Sequence, residues 1–184
     1  TVLHDGTPDH RLSFVADPGG RYTGDPPGAV MITGADPVDE HTFQATDDPG
    51  VYQADVTVPV LGVVEMDGLQ RRYLRTRDTK EVITDGVTER DAVTHYPASH
   101  YYDAAAHVLF VHTSDGKPPA SHEIELIHRG NGIAMTNRHF TTISGFVLRH
   151  FGDAAISFFT GSSDGVADGN IAYGGRQGIR VYGA

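Results

Sequence analysis

Cysteine is absent from the 184 residues, which excludes a disulfide framework, a thiolate zinc site and a cysteine nucleophile. No apolar stretch approaches the roughly 18 residues that a membrane-spanning helix requires. Lysine is nearly absent too: only Lys80 and Lys117 occur among 14 basic residues, so almost all positive charge is guanidinium, suited to bidentate contacts with carboxylates and hydroxyls. Positive charge is itself scarce. Against 24 acidic residues the formal net charge is −10, which argues against a nucleic-acid partner because neutralising phosphates needs a basic surface. The imbalance is confined to residues 1–120, whereas residues 121–184 carry five basic and five acidic side chains. The chain opens at Thr1 with no basic or apolar leader, as expected for a processed or excised piece.

Helix signals are also few, since no window of a dozen residues places apolar side chains at i, i+3, i+4 and i+7. What is abundant is glycine, 22 residues, well above the usual share of about 7%. Short β-rich runs recur between turn residues: Arg11–Ala16, Ala29–Thr33, Val51–Val60, Leu61–Met66, His107–His112, Glu123–His128, Thr141–His150, Ala155–Thr160 and Gly178–Tyr182. Four Asp-Pro pairs punctuate the first fifty residues and mark loops. The expected fold class is all-β.

The last third carries a repeat. Ile133, Ile156 and Ile179 follow one another at intervals of 23 residues, and Met135, Phe158 and Val181 keep the same register, as do the small residues Gly132, Ala155 and Gly178. Ile143 with Val166, Leu148 with Ile171, and Gly152 with Gly175 extend the pattern. Apolar and small positions at a fixed period mean that each unit buries its inner face against the next, and a period this short with β alternation fits one coil of a parallel β-helix. Alternation then turns Ser157, Arg180, Phe159 and Tyr182 outward, and it points Arg149 out beside an inward Leu148. Aromatic rings beside guanidinium groups suit a sugar, with its ring face on the aromatic and its hydroxyls on the arginine. Arg149, Phe159, Arg180 and Tyr182 are therefore the expected substrate-binding residues.

These residues resemble a known group. Residues 11–37 and 121–184, above all Thr142-Ile143-Ser144-Gly145-Phe146-Val147-Leu148-Arg149-His150-Phe151-Gly152 with Ala155-Ile156, are similar to coils of right-handed parallel β-helix proteins of the pectate-lyase-like superfamily. Val51-Tyr52-Gln53-Ala54, Glu65-Met66-Asp67-Gly68, Tyr101-Tyr102-Asp103-Ala104 and Val108-Leu109-Phe110-Val111 resemble an N-terminal β-subdomain of β-helix glycoside hydrolases. The resemblance implies the start of a right-handed parallel β-helix with opening coils at 1–37, an inserted antiparallel β-subdomain at 38–120 and further coils at 121–184. It also implies the N-terminal part of a longer, secreted or envelope (periplasmic) polysaccharide-active protein, a glycoside hydrolase ahead of a lyase or a non-catalytic carbohydrate-binding β-helix. Polysaccharide or oligosaccharide is the expected partner, with further coils or another chain covering the C-terminal edge.

The family's catalytic residues cannot be carried onto this chain. Its lyases use a basic residue with calcium carboxylates and its hydrolases use paired carboxylates, and neither set maps here. Gly161-Ser162-Ser163-Asp164-Gly165 fits the serine-hydrolase pattern G-x-S-x-G, but that motif needs a helix after it and a strand follows instead. The closest histidine pairs, His95/His100 and His107/His112, are five apart, which on a strand places the rings on opposite faces. Asp164 and Asp168 lie where calcium would be considered, but two carboxylates are too few, so no metal or cofactor is assigned. Asp153 and Arg176 share a repeat position and are expected to pair.

Overall fold

In the computed structural model, residues 4–67 and 70–182 are described, and they divide into two units. One comprises residues 1–34 and 129–184, the other residues 35–128. The described residues are mostly β, in five open sheets. Gly68 and the last two residues lie outside the described residues.

Within the first unit the chain visits three sheets in rotation. Ile133–Met135, Thr141–Ser144 and Val147–Arg149 each enter a different sheet, and Ala154–Phe158, Val166–Asp168 and Ile171–Tyr173 then join them in the same order. Gln177–Val181 returns to the first. Leu12–Val15 and Met31–Thr33 fill the remaining places, against Thr141–Ser144 and Val147–Arg149. Every pairing in these sheets is parallel.

The pairings test the repeat residue by residue. Ile133 sits beside Ile156 and Ile156 beside Ile179, with Met135, Phe158 and Val181 in the same register. In the other two sheets the expected partners are wrong by one residue. Ile143 faces Ala167 and Leu148 faces Ala172, spacings of 24. The turn between Phe158 and Val166 holds one residue more than its counterpart between Met135 and Thr142, and the corner between Tyr173 and Gln177 holds one fewer than its counterpart between Arg149 and Ala154. Because strand side chains alternate, a slip of one reverses the face. Ala172 therefore takes the inward place expected for Ile171, which is 59% exposed. The run Thr141–His150 is likewise two strands. Gly145, at φ +78, turns the corner between them in a backbone conformation that a side chain disfavours.

The inward residues make one core, in which Met135, Ile143, Leu148, Phe151 and Ile156 are at most 1% exposed. Phe158 packs there too, and its ring explains Gly165. A Cβ on Gly165 would lie 2.0 Å from Phe158 Cε1, so the last glycine of the G-x-S-x-G stretch makes room for a core ring.

The second unit packs two sheets face to face. One is antiparallel, built from Ala35–Pro37, Ile124–Ile127, Gly62–Glu65 and Arg71–Arg72. The other contains Gln44–Ala45, Val51–Asp55, Val108–His112 and Ser99–Asp103, with Leu74–Arg75 added in parallel at its edge. Ala54, Leu109 and Val111 from one sheet meet Val63, Ile124 and Leu126 from the other around Tyr73. Ile124–Ile127, expected among the coils, pairs antiparallel with Gly62–Glu65 and Ala35–Pro37, so the boundaries fall at 34/35 and 128/129 instead of 37/38 and 120/121.

Two short helices, Lys80–Thr84 and Glu89–His95, interrupt the all-β expectation. At five and seven residues they are too short to show a helical period. Their caps are legible nonetheless: the Thr79 and Thr88 side chains accept hydrogen bonds from the amides of Val82 and Asp91. The second helix buries Ala92 and Val93, and the Val93 carbonyl accepts a 2.9 Å hydrogen bond from His112 Nδ1 on the neighbouring sheet.

Candidate functional site

Three of the four expected binding residues come together. Arg180, in register with Ser157, projects from Gln177–Val181, and its guanidinium carbon lies 5.2 Å from the ring centre of Phe159 and 5.5 Å from that of Tyr182. Both distances are within cation–π range. Asp153 accepts a hydrogen bond from Arg180 Nη1 and fixes the guanidinium. Arg180 Nε is buried without a hydrogen-bond partner. Tyr182 is 62% exposed, while Phe159 is only half-buried, so the open aromatic surface is chiefly tyrosine. The repeat builds this ladder: strands in register stack equivalent outward positions roughly 4.8 Å apart.

Arg149 does not join it. It lies in the sheet of Met31–Thr33 and Ile171–Tyr173, in register with Thr33 and Tyr173. Asp153 pairs with Arg180, not with Arg176, whose side chain is exposed.

The remaining sequence candidates resolve into structural roles. Ser163 is followed by the strand Val166–Asp168, and its hydroxyl donates to Asp164 at 2.7 Å. His139 Nδ1 stands 2.9 Å from the same oxygen, so the serine proton is engaged by the carboxylate and the histidine faces it as a donor. Asp164 is further held by Arg11, which donates to its carbonyl, and the Asp168 carbonyl accepts from the Gly145 amide. Among the described residues no group of three histidines or carboxylates is placed to hold a metal ion. His95 pairs with Glu81 at 2.7 Å and His107 lies 3.3 Å from the Tyr102 hydroxyl. His150 is fully buried, edge-on to Tyr173.

One cluster has no counterpart in the sequence reading. In the 35–128 unit, His122 donates from Nδ1 to Asp67 at 2.9 Å and from Nε2 to Asp115 at 3.2 Å, with buried Glu65 at 3.9 Å from Nδ1. Glu65 in turn accepts from the Tyr73 hydroxyl and, at 2.7 Å, from Ser114 Oγ. Burial pulls the His122 imidazole down, but Asp67, Glu65 and Asp115 together outweigh it and raise its pKa. Lys117, bonded to Asp115 by side chain and backbone, holds that carboxyl down at about 2. The Tyr73 hydroxyl is pushed up by burial and then by Glu65. Donors and acceptors are engaged with one another, which makes the cluster a clasp tying the loops after Gly62–Glu65 and Val108–His112 to the turn at Pro119–Ser121. The separations of about fifty residues along the chain carry no local signal. The only hint was Asp115 two residues before Lys117.

No protein-family model, curated protein or solved structure matches the chain. Among the described residues no helix is long and apolar enough to cross a membrane.

Proposed function

We propose that the chain is a polysaccharide-active protein of the secreted or envelope type, built on a right-handed parallel β-helix, and that Phe159, Arg180 and Tyr182 form its sugar-binding platform. The rotation of successive strands through three parallel sheets supports the β-helix reading. The observation that carries the binding reading is the Arg180 guanidinium lying within 5.5 Å of both rings while Tyr182 stays open: a pyranose face stacks on the tyrosine and its hydroxyls take the guanidinium N–H groups. Binding is favoured over bond cleavage at this place, because arginine does not give up its proton and Asp153 is committed to Arg180. A hydrolase would take its carboxylate pair from elsewhere. The strand edge beyond Gln177–Val181 leaves Ile179 and Val181 open, in register with the buried Ile156 and Phe158, which suits cover by further coils or another chain.

Affinity electrophoresis through gels containing xylan, mixed-linkage β-glucan, pectin or alginate tests the reading. The expected result is retardation by at least one polysaccharide, lost in Tyr182→Ala with an unchanged thermal melt. Retardation by none, or retardation that survives Tyr182→Ala, overturns it.

A further inference from the structure

The corner that follows Leu12–Val15 is unlike the two stacked on it. Thr141–Ser144 turns into Val147–Arg149 through Gly145 and Phe146 alone, and Val166–Asp168 turns into Ile171–Tyr173 through Gly169 and Asn170. Leu12–Val15 instead reaches Met31–Thr33 through residues 16–30. The insertion is a closed loop. The Gly28 amide donates to the Pro18 carbonyl at 2.8 Å, and the amides of Gly20 and Gly24 donate to the carbonyls of Asp17 and Gly20. At its centre the Asp17 carboxylate accepts hydrogen bonds from the amides of Arg21, Tyr22 and Thr23 at 3.0, 2.6 and 3.1 Å. These bonds, the one from Tyr22 foremost, hold the Asp17 carboxyl below its ordinary 3.8, so it is ionised and the turn stays closed across the neutral range.

The tip of this loop presents an aromatic and a cation to solvent. Tyr22 is 83% exposed, more than any other large apolar side chain among the described residues, and the Arg21 guanidinium carbon stands 5.5 Å from its ring centre. This is the pairing already seen between Arg180 and Tyr182, here fixed by the backbone of one loop instead of by stacked strands. A contact whose backbone is ordered beforehand loses less entropy when a ligand arrives. Below the tip lies a cavity of about 400 Å³, within the range of ligand clefts, with Val15, Pro26 and Phe146 as apolar walls and Thr23 and Asp25 as hydroxyl partners.

Loop and platform flank one sheet. Phe159 and Tyr182 stand where the chain leaves the sheet of Ala154–Phe158, at the corner leading into the sheet of Leu12–Val15, Thr141–Ser144 and Val166–Asp168, and the loop stands at the corner where the chain leaves that sheet. Between the corners the outward side chains are short: Ser13 is opposite Thr142, and Val15, Ser144 and Asp168 follow one another across the strands. At about 3.3 Å per residue along a four-residue strand and about 4.8 Å for each of three strand spacings, the diagonal is roughly 19 Å, beyond the reach of a disaccharide.

We propose that the loop 17–28 is the far end of a saccharide track: a linear polysaccharide stacked on Tyr182 crosses the outward face of this sheet and lays another sugar ring on Tyr22, with hydroxyls on Arg21 and, in the cavity beneath, on Thr23 and Asp25. Asp17 is the positioning residue of this second contact. The track rests on the polysaccharide reading above and extends it, and because two contacts on one ligand chain reinforce each other, loss of either weakens binding of the long chain.

The test is affinity electrophoresis of the full chain through the xylan, mixed-linkage β-glucan, pectin and alginate gels. Tyr22→Ala and Arg21→Ala, at exposed positions, are expected to keep the thermal melt and to weaken the dissociation constant for the retarding polysaccharide at least ten-fold. Asp17→Ala keeps both tip side chains but loosens the loop, and is expected to weaken binding at least three-fold, with partial recovery in Asp17→Asn, which retains one acceptor oxygen. Retardation that Tyr182→Ala abolishes but that Tyr22→Ala and Arg21→Ala leave unchanged overturns the track and spares the platform. Retardation of the unaltered chain by none of the four polysaccharides overturns both.

Discussion

Ile133, Ile156 and Ile179 occupy one register position on three neighbouring strands, yet their surroundings differ, and truncating two of them to alanine measures what strand stacking contributes. Ile156 has a strand on each side and is fully buried, whereas Ile179 is 52% exposed. Ile→Ala removes three carbons, worth about 2.4 kcal/mol of transfer free energy at roughly 0.8 kcal/mol per buried methylene. At Ile156 the core closes only partly around the void, which brings the total to about 3–4 kcal/mol. Ile179→Ala loses about half the transfer part and leaves no enclosed void, so about 1 kcal/mol. Urea unfolding of the 184-residue chain, followed by far-ultraviolet circular dichroism, reads the difference. With a slope of about 2 kcal/mol per molar, Ile156→Ala lowers the midpoint by roughly 1.5–2 M and Ile179→Ala by roughly 0.5 M. Equal shifts, or a larger one for Ile179→Ala, would refute the argument that burial between neighbouring strands sets the cost.

Gly165→Ala places a methyl 2.0 Å from the Phe158 ring and is expected to cost about 1–3 kcal/mol by overpacking, while Gly19→Ala, with nothing within 4 Å, stays within about 0.5 kcal/mol; thermal melts of the two variants check the contrast. The His122 clasp sets a pH window. His122 has a raised pKa, so its contribution is complete below the ordinary 6.5 and is lost as pH rises through the folded value. Asp67 and Asp115 are lowered, so theirs is complete above the ordinary 3.8 and is lost as pH falls, for Asp115 through about 2. Stability from the clasp is therefore greatest between about pH 4 and 6.5, and His122→Gln should flatten the alkaline side of a midpoint-against-pH curve; an unaltered curve would remove the clasp from the account.

Local rules carried the parallel strands a long way. Turn residues, alternation and the 23-residue interval sufficed to stack Ile133, Ile156 and Ile179 and to turn Phe159, Arg180 and Tyr182 to one side, because each depends only on near neighbours along the strand. The same interval failed at Ile143 and Leu148. A corner one residue longer is invisible to a periodicity that tolerates glycine-rich turns, yet it reverses which side chain is buried.

By itself, then, the sequence determined that the chain is mostly β, that one face of each late strand is apolar, and that neither thiol chemistry nor a membrane-spanning helix is available to it. Tertiary structure alone decided where charge and cavities lie. His122 meets Asp67 and Asp115, and His100 meets Arg75, because strand pairing folds segments as far as 55 residues apart against one another. Burial and nearby guanidiniums leave His100 neutral, while the carboxylates around His122 outweigh its burial and favour its charged form, a difference between two identical side chains that only their surroundings impose.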